Sequence, residues 1–130
     1  MSADLALLER ILDEWGRGEF WSGDAYTDDV VFVVSGPDAA EYHGIDGLTN
    51  AWRDFLSAWD DFHIETDRVV PGDAGSYALL IRLKARGKGS GVDTDAEVAN
   101  VVQMRDGRIA RLEMFWDREE ALRAAGAEER

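Results

Sequence analysis

Apolar residues recur along the first part of the chain with the period of an amphipathic helix. They fall at steps of three and four and are separated by charged positions. The apolar stripe is formed by Leu5, Leu8, Ile11, Leu12 and Trp15. Gly16 and Gly18 follow the stripe, so the helix is predicted to end there.

Three further helices are predicted. Residues 20–26 have the pattern of a short helix that is interrupted by Gly23. A longer helix begins at Asp46, and its inner stripe is formed by Leu48, Trp52, Phe55, Leu56 and Trp59. Residues 117–125 are predicted to form a closing helix.

Runs of β-branched and apolar residues bounded by turn signals predict five strands. Their ranges are residues 30–34, 62–70, 76–86, 93–104 and 108–116. Asp28 and Asp29 are expected in a turn before the first strand. Residues 35–44, which include Gly36 and Pro37, are expected to form a loop.

Charge alone sets the pairing of the two longest strands. If facing residue numbers sum to 179, three opposite charges meet on one face: Arg86 with Asp93, Lys84 with Asp95, and Arg82 with Glu97. The same register places Leu79 opposite Asn100 on an apolar face. Because a slip of one residue would exchange the two faces, this register is strongly specified.

The next hairpin is predicted to turn through three residues, Arg105, Asp106 and Gly107. That loop would place Leu112 opposite Asn100 and Ala110 opposite Val102. The inner wall of the sheet is then apolar apart from Asn100, and its other members are Tyr77, Leu79, Ile81, Leu112, Met114 and Trp116. The pattern predicts an α+β fold in which a curved, mainly antiparallel sheet wraps around helices and encloses a pocket.

Composition narrows the classes of partner. The chain of 130 residues suits one domain, here residues 1–126 with a disordered tail at 127–130. Its 27 acidic and 14 basic residues give a net charge of −13, which disfavours nucleic acid and anionic membranes. It has no cysteine, and no apolar run approaches the length of a membrane span. A cytoplasmic protein is expected.

Several segments together resemble a known family. They are residues 15–20 (WGRGEF), 28–30 (DDV), 42–47 (YHGIDG), 59–65 (WDDFHIE), 104–109 (MRDGRI) and 115–122 (FWDREEAL). The chain resembles the SnoaL-like branch of the nuclear transport factor two superfamily, which also contains ketosteroid isomerase, scytalone dehydratase and limonene epoxide hydrolase. The resemblance implies a cone-shaped fold with a pocket, whereas the chemistries of the superfamily differ.

The resemblance also implies which functions to test. The isomerase positions fall on Val34, Ile11 and Asn100, so only the last keeps a hydrogen-bonding group and steroid isomerisation is disfavoured. The inner arginine and aspartate of the epoxide hydrolase are also missing. Family members commonly form homodimers through the outer face of the sheet. In this chain that face would carry Ala78, Leu80, Ala99, Val101, Ile109 and Phe115.

The pocket is therefore expected to bind a small apolar or amphipathic molecule without a cofactor. The candidate binding residues are Trp15, Tyr26, Phe32, Val34, Trp52, Phe55, Tyr77, Leu79, Asn100, Leu112, Met114 and Trp116. The candidate catalytic residues are Asn100, Tyr26 and Tyr77. Asn100 either orients a carbonyl or hydroxyl group of a ligand or is a structural amide bonded to Tyr77, Tyr26 or a buried water.

The remaining polar and glycine-rich segments are not expected to form a catalytic, metal or phosphate site. His43 and His63 are expected to face solvent. The carboxylates of the charge ladder have cationic partners, so no metal site is expected. The glycine-rich stretch at residues 87–91 is too short for a phosphate cradle and is expected to be a flexible turn.

Three functions remain open. The chain is a binding module for an apolar metabolite, or an isomerase, cyclase or hydratase acting on a polyketide-like or terpenoid carbonyl compound. In the enzyme, Asn100 would polarise the carbonyl group while Tyr26 or Tyr77 donated a proton. The third is a protein-interaction or assembly role of the outer sheet face, which tryptophan side chains filling the cone would favour.

Overall fold

The computed structural model describes residues 3–20, 23–34, 40–89 and 91–127. Its helices are α1 (Ala3–Gly16), α2 (Gly44–Leu56) and α3 (Arg118–Ala125), with a 3₁₀ turn at Gly23–Ala25. Its strands are β1 (Tyr26–Val34), β2 (Ala40–His43), β3 (Trp59–Pro71), β4 (Ser76–Gly87), β5 (Asp93–Arg105) and β6 (Arg108–Phe115).

The six strands form one curved sheet in the order β2-β1-β6-β5-β4-β3. Strands β1 and β6 run parallel, and every other neighbouring pair is antiparallel. A buried cluster on the inner face joins the sheet to α1 and α2, while a second cluster on the outer face includes α3. The predicted α+β architecture is confirmed. Within the described ranges no helix is long and apolar enough to cross a membrane.

The predicted pairing of β4 with β5 is confirmed along its whole length, from Ser76 opposite Gln103 to Arg86 opposite Asp93. Arg86 Nε lies 3.1 Å from an Asp93 carboxylate oxygen. One detail of the ladder differs, because Lys84 Nζ lies 3.1 Å from Glu65 on β3. The edge strand β3 thus supplies a carboxylate partner for this lysine.

The predicted pairing of β5 with β6 is wrong by two residues. Asn100 faces Met114 rather than Leu112, and Val102 faces Leu112. The turn contains only Asp106 and Gly107, both with positive φ (54° and 77°). Such a two-residue turn matches the twist of a hairpin, and it moves the facing positions by one residue.

A β-bulge in β6 accounts for the second residue of the register shift between β5 and β6. Between the pairs Gln103–Arg111 and Met104–Ile109, the extra residue in β6 is Ala110. Since a bulge reverses the alternation of side chains, Ile109 turns inward and is fully buried in the inner cluster. Its predicted place on the outer face is therefore wrong.

Helix α3 covers the apolar band of the outer face. Asp117 caps the helix by accepting a hydrogen bond of 2.8 Å from the Glu119 backbone N–H. Ala78, Leu80 and Ala99 are at most 2% exposed beneath this helix. The band that was expected to form a dimer interface is thus already buried within one chain.

The end of α3 lies against the β3–β4 turn at very short range. A Cβ atom added to Gly72 would come 2.0 Å from the Ala125 carbonyl oxygen, so only glycine fits there. The backbone N–H of Asp73 donates to the same oxygen at 2.8 Å. Ala127, expected to begin a disordered tail, is 5% exposed, and residues 128–130 lie outside the described ranges.

The structure also differs from three of the predicted helix, loop and turn assignments. The proposed helix at residues 20–26 includes two residues outside the described ranges, and its described part forms only the 3₁₀ turn. The loop at residues 35–44 contains β2, while residues 35–39 lie outside the described ranges. Asp28 and Asp29 lie within β1 rather than before it, because an irregular pairing with β6 extends that strand back to Tyr26.

Candidate functional site

A small cavity lies between α2 and the inner face of the sheet. Its volume is about 30 Å³, which is room for one water molecule. The wall is formed by Phe32, Val34, Ala51, Trp52, Phe55, Phe62, Ile64, Ile81, Leu83, Val98, Asn100, Leu112 and Met114. Alternate residues of β3, β4, β5 and β6 reach it because the pleat sends every second side chain inward.

Aromatic side chains occupy much of the cone around this cavity. The Trp52 ring stacks on Phe20, with centroids 4.6 Å apart and 23° between the planes. Phe32 and Phe55 stand nearly perpendicular to Trp52, at 88° and 87°. Trp15 also meets Trp52 edge-on at 5.3 Å. Edge-to-face packing of this kind holds the rings in defined positions.

Three residues connect the cavity wall with solvent. Val34, Phe55 and Phe62 are half-buried, whereas the other wall residues are buried. The rings of Phe55 and Phe62 meet edge-on with centroids 5.2 Å apart. The wall is therefore thinnest where the end of α2 meets the first part of β3.

Besides the Trp52 indole, whose Nε1–H is buried without a hydrogen-bond partner among the described residues, Asn100 contributes the polar side chain of the described wall. It is 6% exposed, and its backbone neighbours across the sheet are Leu79 and Met114. Its side-chain amide makes no hydrogen bond to another described residue.

The cavity wall lacks ionisable groups among its described residues. The alternation that points Ile81, Leu83 and Val98 inward sends Arg82, Lys84 and Glu97 to the opposite face. Arg118 reaches this outer face from α3 and donates to the backbone carbonyl oxygens of Ile81 at 2.8 Å and Val98 at 3.3 Å. Its hydrogen bond to Asp67, 2.6 Å long, lowers the pKa of that carboxyl group.

The two candidate tyrosines lie outside the cavity wall. Tyr26 is buried in the core, and its hydroxyl group has no hydrogen-bond partner among the described residues. Burial, assisted by the nearby Glu14 carboxylate, raises the pKa of this phenol. Tyr77 is half-buried and pairs with Val102 and Pro71. The structure therefore does not bring either tyrosine beside Asn100 in the cavity.

Seven of the predicted binding residues line the cavity. They are Phe32, Val34, Trp52, Phe55, Asn100, Leu112 and Met114. Trp15 and Leu79 lie in the surrounding core, and Trp116 follows β6 with 46% of its surface exposed. Trp116 lies outside the wall because β6 ends at Phe115.

Sequence reasoning did not assign six of the wall residues to the site. They are Ala51, Phe62, Ile64, Ile81, Leu83 and Val98. The β4–β5 register already placed Leu83 and Val98 on the apolar face, so alternation was a usable signal for the strands. No sequence signal showed which end of that face lies beside the cavity.

The two histidines are exposed, as predicted. His43 and His63 face solvent, and His43 Nε2 lies 2.9 Å from a Glu41 oxygen. The described residues include no group of three or more His, Asp or Glu side chains arranged to hold a metal ion. An open groove on the outer face is lined by members of the charge ladder that are already paired with one another, such as Arg86 with Asp93.

Comparisons with known proteins agree with this architecture. A family model described as a SnoaL-like domain matches residues 8–112. No curated protein matches the chain. A solved NTF2-like protein of unknown function from Burkholderia pseudomallei is 17% identical, with 96% of this chain and 98% of that chain covered and a TM-score of 0.77.

Two other solved structures with this fold were determined with small molecules. TerC, co-crystallised with polyporic acid, is 13% identical, with a TM-score of 0.74 and coverage of 95% of this chain and 98% of its own. A Catenulispora acidiphila protein with a ketosteroid isomerase-like fold, in complex with trimethylamine, is 11% identical. Its TM-score is 0.71, and the match covers 94% of this chain and 93% of that chain. At these identities the likeness establishes the fold alone.

Proposed function

Since this chain belongs to the SnoaL-like domain family, we propose that it binds a small, largely apolar molecule between α2 and the inner face of the sheet. The observation that carries the proposal is the cavity wall, in which one amide stands among apolar and aromatic side chains. Ligand sites are typically apolar with a few placed polar groups, and this wall has that composition.

The ligand must displace side chains in order to enter. A cavity of about 30 Å³ holds one water molecule, whereas small-molecule sites span roughly 300–1,000 Å³. Phe55 and Phe62 are suited to move because both are half-buried and lie at the thin part of the wall. Binding is therefore expected to open the cavity between α2 and β3.

The contacts favour binding over acid–base catalysis. An isomerase, cyclase or hydratase needs a proton donor or acceptor within reach of its substrate, about 2.6–3.2 Å between heavy atoms. The described wall residues offer only the Asn100 amide and the Trp52 indole, and neither group ionises near neutral pH. Tyr26 and Tyr77, the proposed donors, lie in other parts of the molecule.

The third function, protein interaction through the outer face, has one observation for it and one against it. Trp15 and Trp52 do occupy the cone, as that function would require. However, α3 covers Ala78 and Leu80, which were to provide the interaction surface. Binding inside the cone therefore has the stronger support.

Thermal denaturation with a library of neutral aromatic and aliphatic compounds tests the proposal. Ligands are expected to raise the melting temperature of the wild-type protein. Ala51→Leu places a larger side chain in the cavity wall and is expected to abolish the shift. The matched control is Ala6→Leu, the same change at an exposed position of α1, which should keep it. Either an unchanged shift in Ala51→Leu or no shift with any compound would contradict cavity binding.

A homodimer remains a proposal from the family resemblance. Because α3 occupies the apolar band, a second copy would have to use the uncovered part of the outer face, where Val31, Val33 and Val101 are half-buried. Sedimentation equilibrium measures the mass directly, and a monomer at high micromolar concentration would exclude this proposal.

A further inference from the structure

We propose that the indole N–H of Trp52 binds the polar group of the ligand in this cavity, and that this group is a neutral hydrogen-bond acceptor such as an ether, an ester or a nitrile. This inference rests on the proposed binding function and specifies its ligand class. It depends on three features of Trp52: its unpaired N–H, the rings that hold it, and the donor-only chemistry of an indole.

The first feature is the state of the Trp52 side chain. This residue is 5% exposed and lines the cavity, and its Nε1–H is buried without a hydrogen-bond partner among the described residues. Because burial removes the donor from water, leaving it unpaired costs free energy that an acceptor would restore. A molecule bound in the cavity lies against this indole and is therefore placed to supply the acceptor.

The second feature is the set of rings that hold the indole in one orientation. Phe20 stacks on Trp52 with 4.6 Å between the ring centroids, and Phe32 stands nearly perpendicular to it at 6.1 Å. Trp15 meets it edge-on. These neighbouring rings carry no oxygen acceptor, so the cluster itself does not satisfy the N–H. A donor that is fixed before the ligand arrives loses little conformational freedom on binding, which favours affinity.

The third feature is the chemistry of the indole. An indole N–H only donates, whereas the Asn100 amide of the same wall can both donate and accept. Trp52 therefore distinguishes a ligand acceptor from a ligand donor, and an amide does not. A ligand N–H directed at Nε1 would bring two donors together and leave both unpaired. Since the described wall residues carry no ionisable group, an uncharged acceptor is favoured over a carboxylate.

Trp59 provides a comparison within the molecule. Its Nε1–H is also buried without a partner among the described residues. Both indoles contact Phe55, with 6.4 Å between ring centroids for Trp52 and 6.2 Å for Trp59. Trp59, however, is not part of the described cavity wall. Because the two residues share an unpaired donor and a ring contact but differ in access to the cavity, Trp59→Phe is the matched control for Trp52→Phe.

Two probes of nearly the same shape test the assignment. Benzonitrile ends in a nitrogen atom that accepts a hydrogen bond, and ethynylbenzene has a C–H group in its place. Their dissociation constants are measured by calorimetry for the wild-type protein, Trp52→Phe and Trp59→Phe. The ratio of benzonitrile affinity to ethynylbenzene affinity is expected to fall about tenfold in Trp52→Phe, because one hydrogen bond is lost. The ratio is expected to be unchanged in Trp59→Phe.

The outcomes distinguish this inference from the proposed function. If both probes bind and Ala51→Leu blocks them, but the affinity ratio is the same in Trp52→Phe, the indole N–H has no role and only the inference fails. An equal fall of the ratio in Trp59→Phe also overturns the inference alone, because the effect would not depend on the cavity wall. Failure of both probes to bind the wild-type protein overturns the inference and the proposed function together.

A measurement on the wild-type protein keeps the test independent of the folding of the variants. In the nuclear magnetic resonance spectrum of ¹⁵N-labelled protein, the Trp52 indole proton is expected further downfield with benzonitrile bound than with ethynylbenzene bound, because a hydrogen bond deshields it. Both probes carry the same benzene ring, so their ring-current effects are matched. Equal positions of this resonance with the two probes would show that the N–H has no acceptor, and the inference would be wrong.

Discussion

The two ends of the inner sheet face differ in packing although one sheet and one apolar cluster form both. At the closed end, defined by Leu79, Val102 and Ile109, every residue is fully buried and none lines the cavity. At the cavity end, defined by Ile81, Leu83 and Val98, the residues are almost as buried but surround a void. Burial alone therefore does not distinguish a packed core from a binding site.

The difference comes from what lies opposite each end. Half-buried Phe55 and Phe62 lie opposite the cavity end, and rigid rings joined edge-to-face leave gaps that flexible side chains would fill. Leu8 and Ile11 of α1 belong to the same buried cluster as the closed end, and like the closed-end residues they do not line the cavity. The proposed ligand site therefore lies where aromatic packing is incomplete.

The largest expected effect comes from removing side chains at each end. Leu79→Ala is expected to lower the free energy of unfolding by about 2–5 kcal/mol, because the closed end is fully packed. Phe55→Ala, although it removes more atoms, is expected to cost less than about 2 kcal/mol, because this ring is half-exposed. Urea denaturation measures both values. An equal or greater loss in Phe55→Ala would contradict the comparison.

Adding one methyl group at each end of the inner face is expected to change stability less, but it tests the comparison more directly. Val102 and Val98 lie on the same strand and the same face, and both are buried. Val102→Ile is expected to destabilise the protein by about 1–3 kcal/mol through overpacking. Val98→Ile adds the same methyl group beside the cavity and is expected to change stability by less than about 0.5 kcal/mol. Equal losses in urea denaturation would mean that the cavity is not available to the added group.

The smallest expected effect on stability comes from the Arg118–Asp67 ion pair, which lies on the outer face of the sheet behind the cavity end. Arg118 holds the carbonyl oxygens of Ile81 and Val98 from behind and pairs with Asp67. Since this pair lowers the pKa of Asp67 below its ordinary value of 3.8, its stabilisation is present above that pH and is lost as pH falls through the lowered pKa.

Asp67→Asn is therefore expected to cost about 0.2–1 kcal/mol at pH 7 and nothing once Asp67 of the wild-type protein is protonated. Asp54→Asn, on the exposed side of α2, serves as the control. Chemical denaturation across this pH range measures both variants. A loss at pH 7 that persists under acid conditions would show that the aspartate acts through packing rather than charge.

Local pattern predicted much of this fold. The period of three and four found α1, and opposite charges at matching distances fixed the β4–β5 register along its length. Seven of the cavity residues were predicted, Trp52 and Phe55 on the inner stripe of α2 and the other five on strands. The pairing of β5 with β6 was missed because a turn one residue shorter than expected and a bulge at Ala110 each shift the register by one.

The cavity itself could not be predicted from these signals. Alternation gives the face of a strand on which Val98 or Val102 lies, but not which of them is opposite a gap in the packing. The outer face could not be interpreted from alternation either. The apolar pattern of Ala78 and Leu80 fits equally well under a helix or against a second molecule. Only the position of α3 decided between these two.

The order of residues along the chain determined the three α-helices, five of the six strands, the longest hairpin and the inward position of Asn100. Each of these depends on sequence neighbours or on one pair of adjacent strands. The tertiary structure decided the size of the cavity, the thin part of its wall and the covering of the outer face. Those features depend on how helices and distant strands fill a shared space, and close packing in three dimensions is not written in any local period.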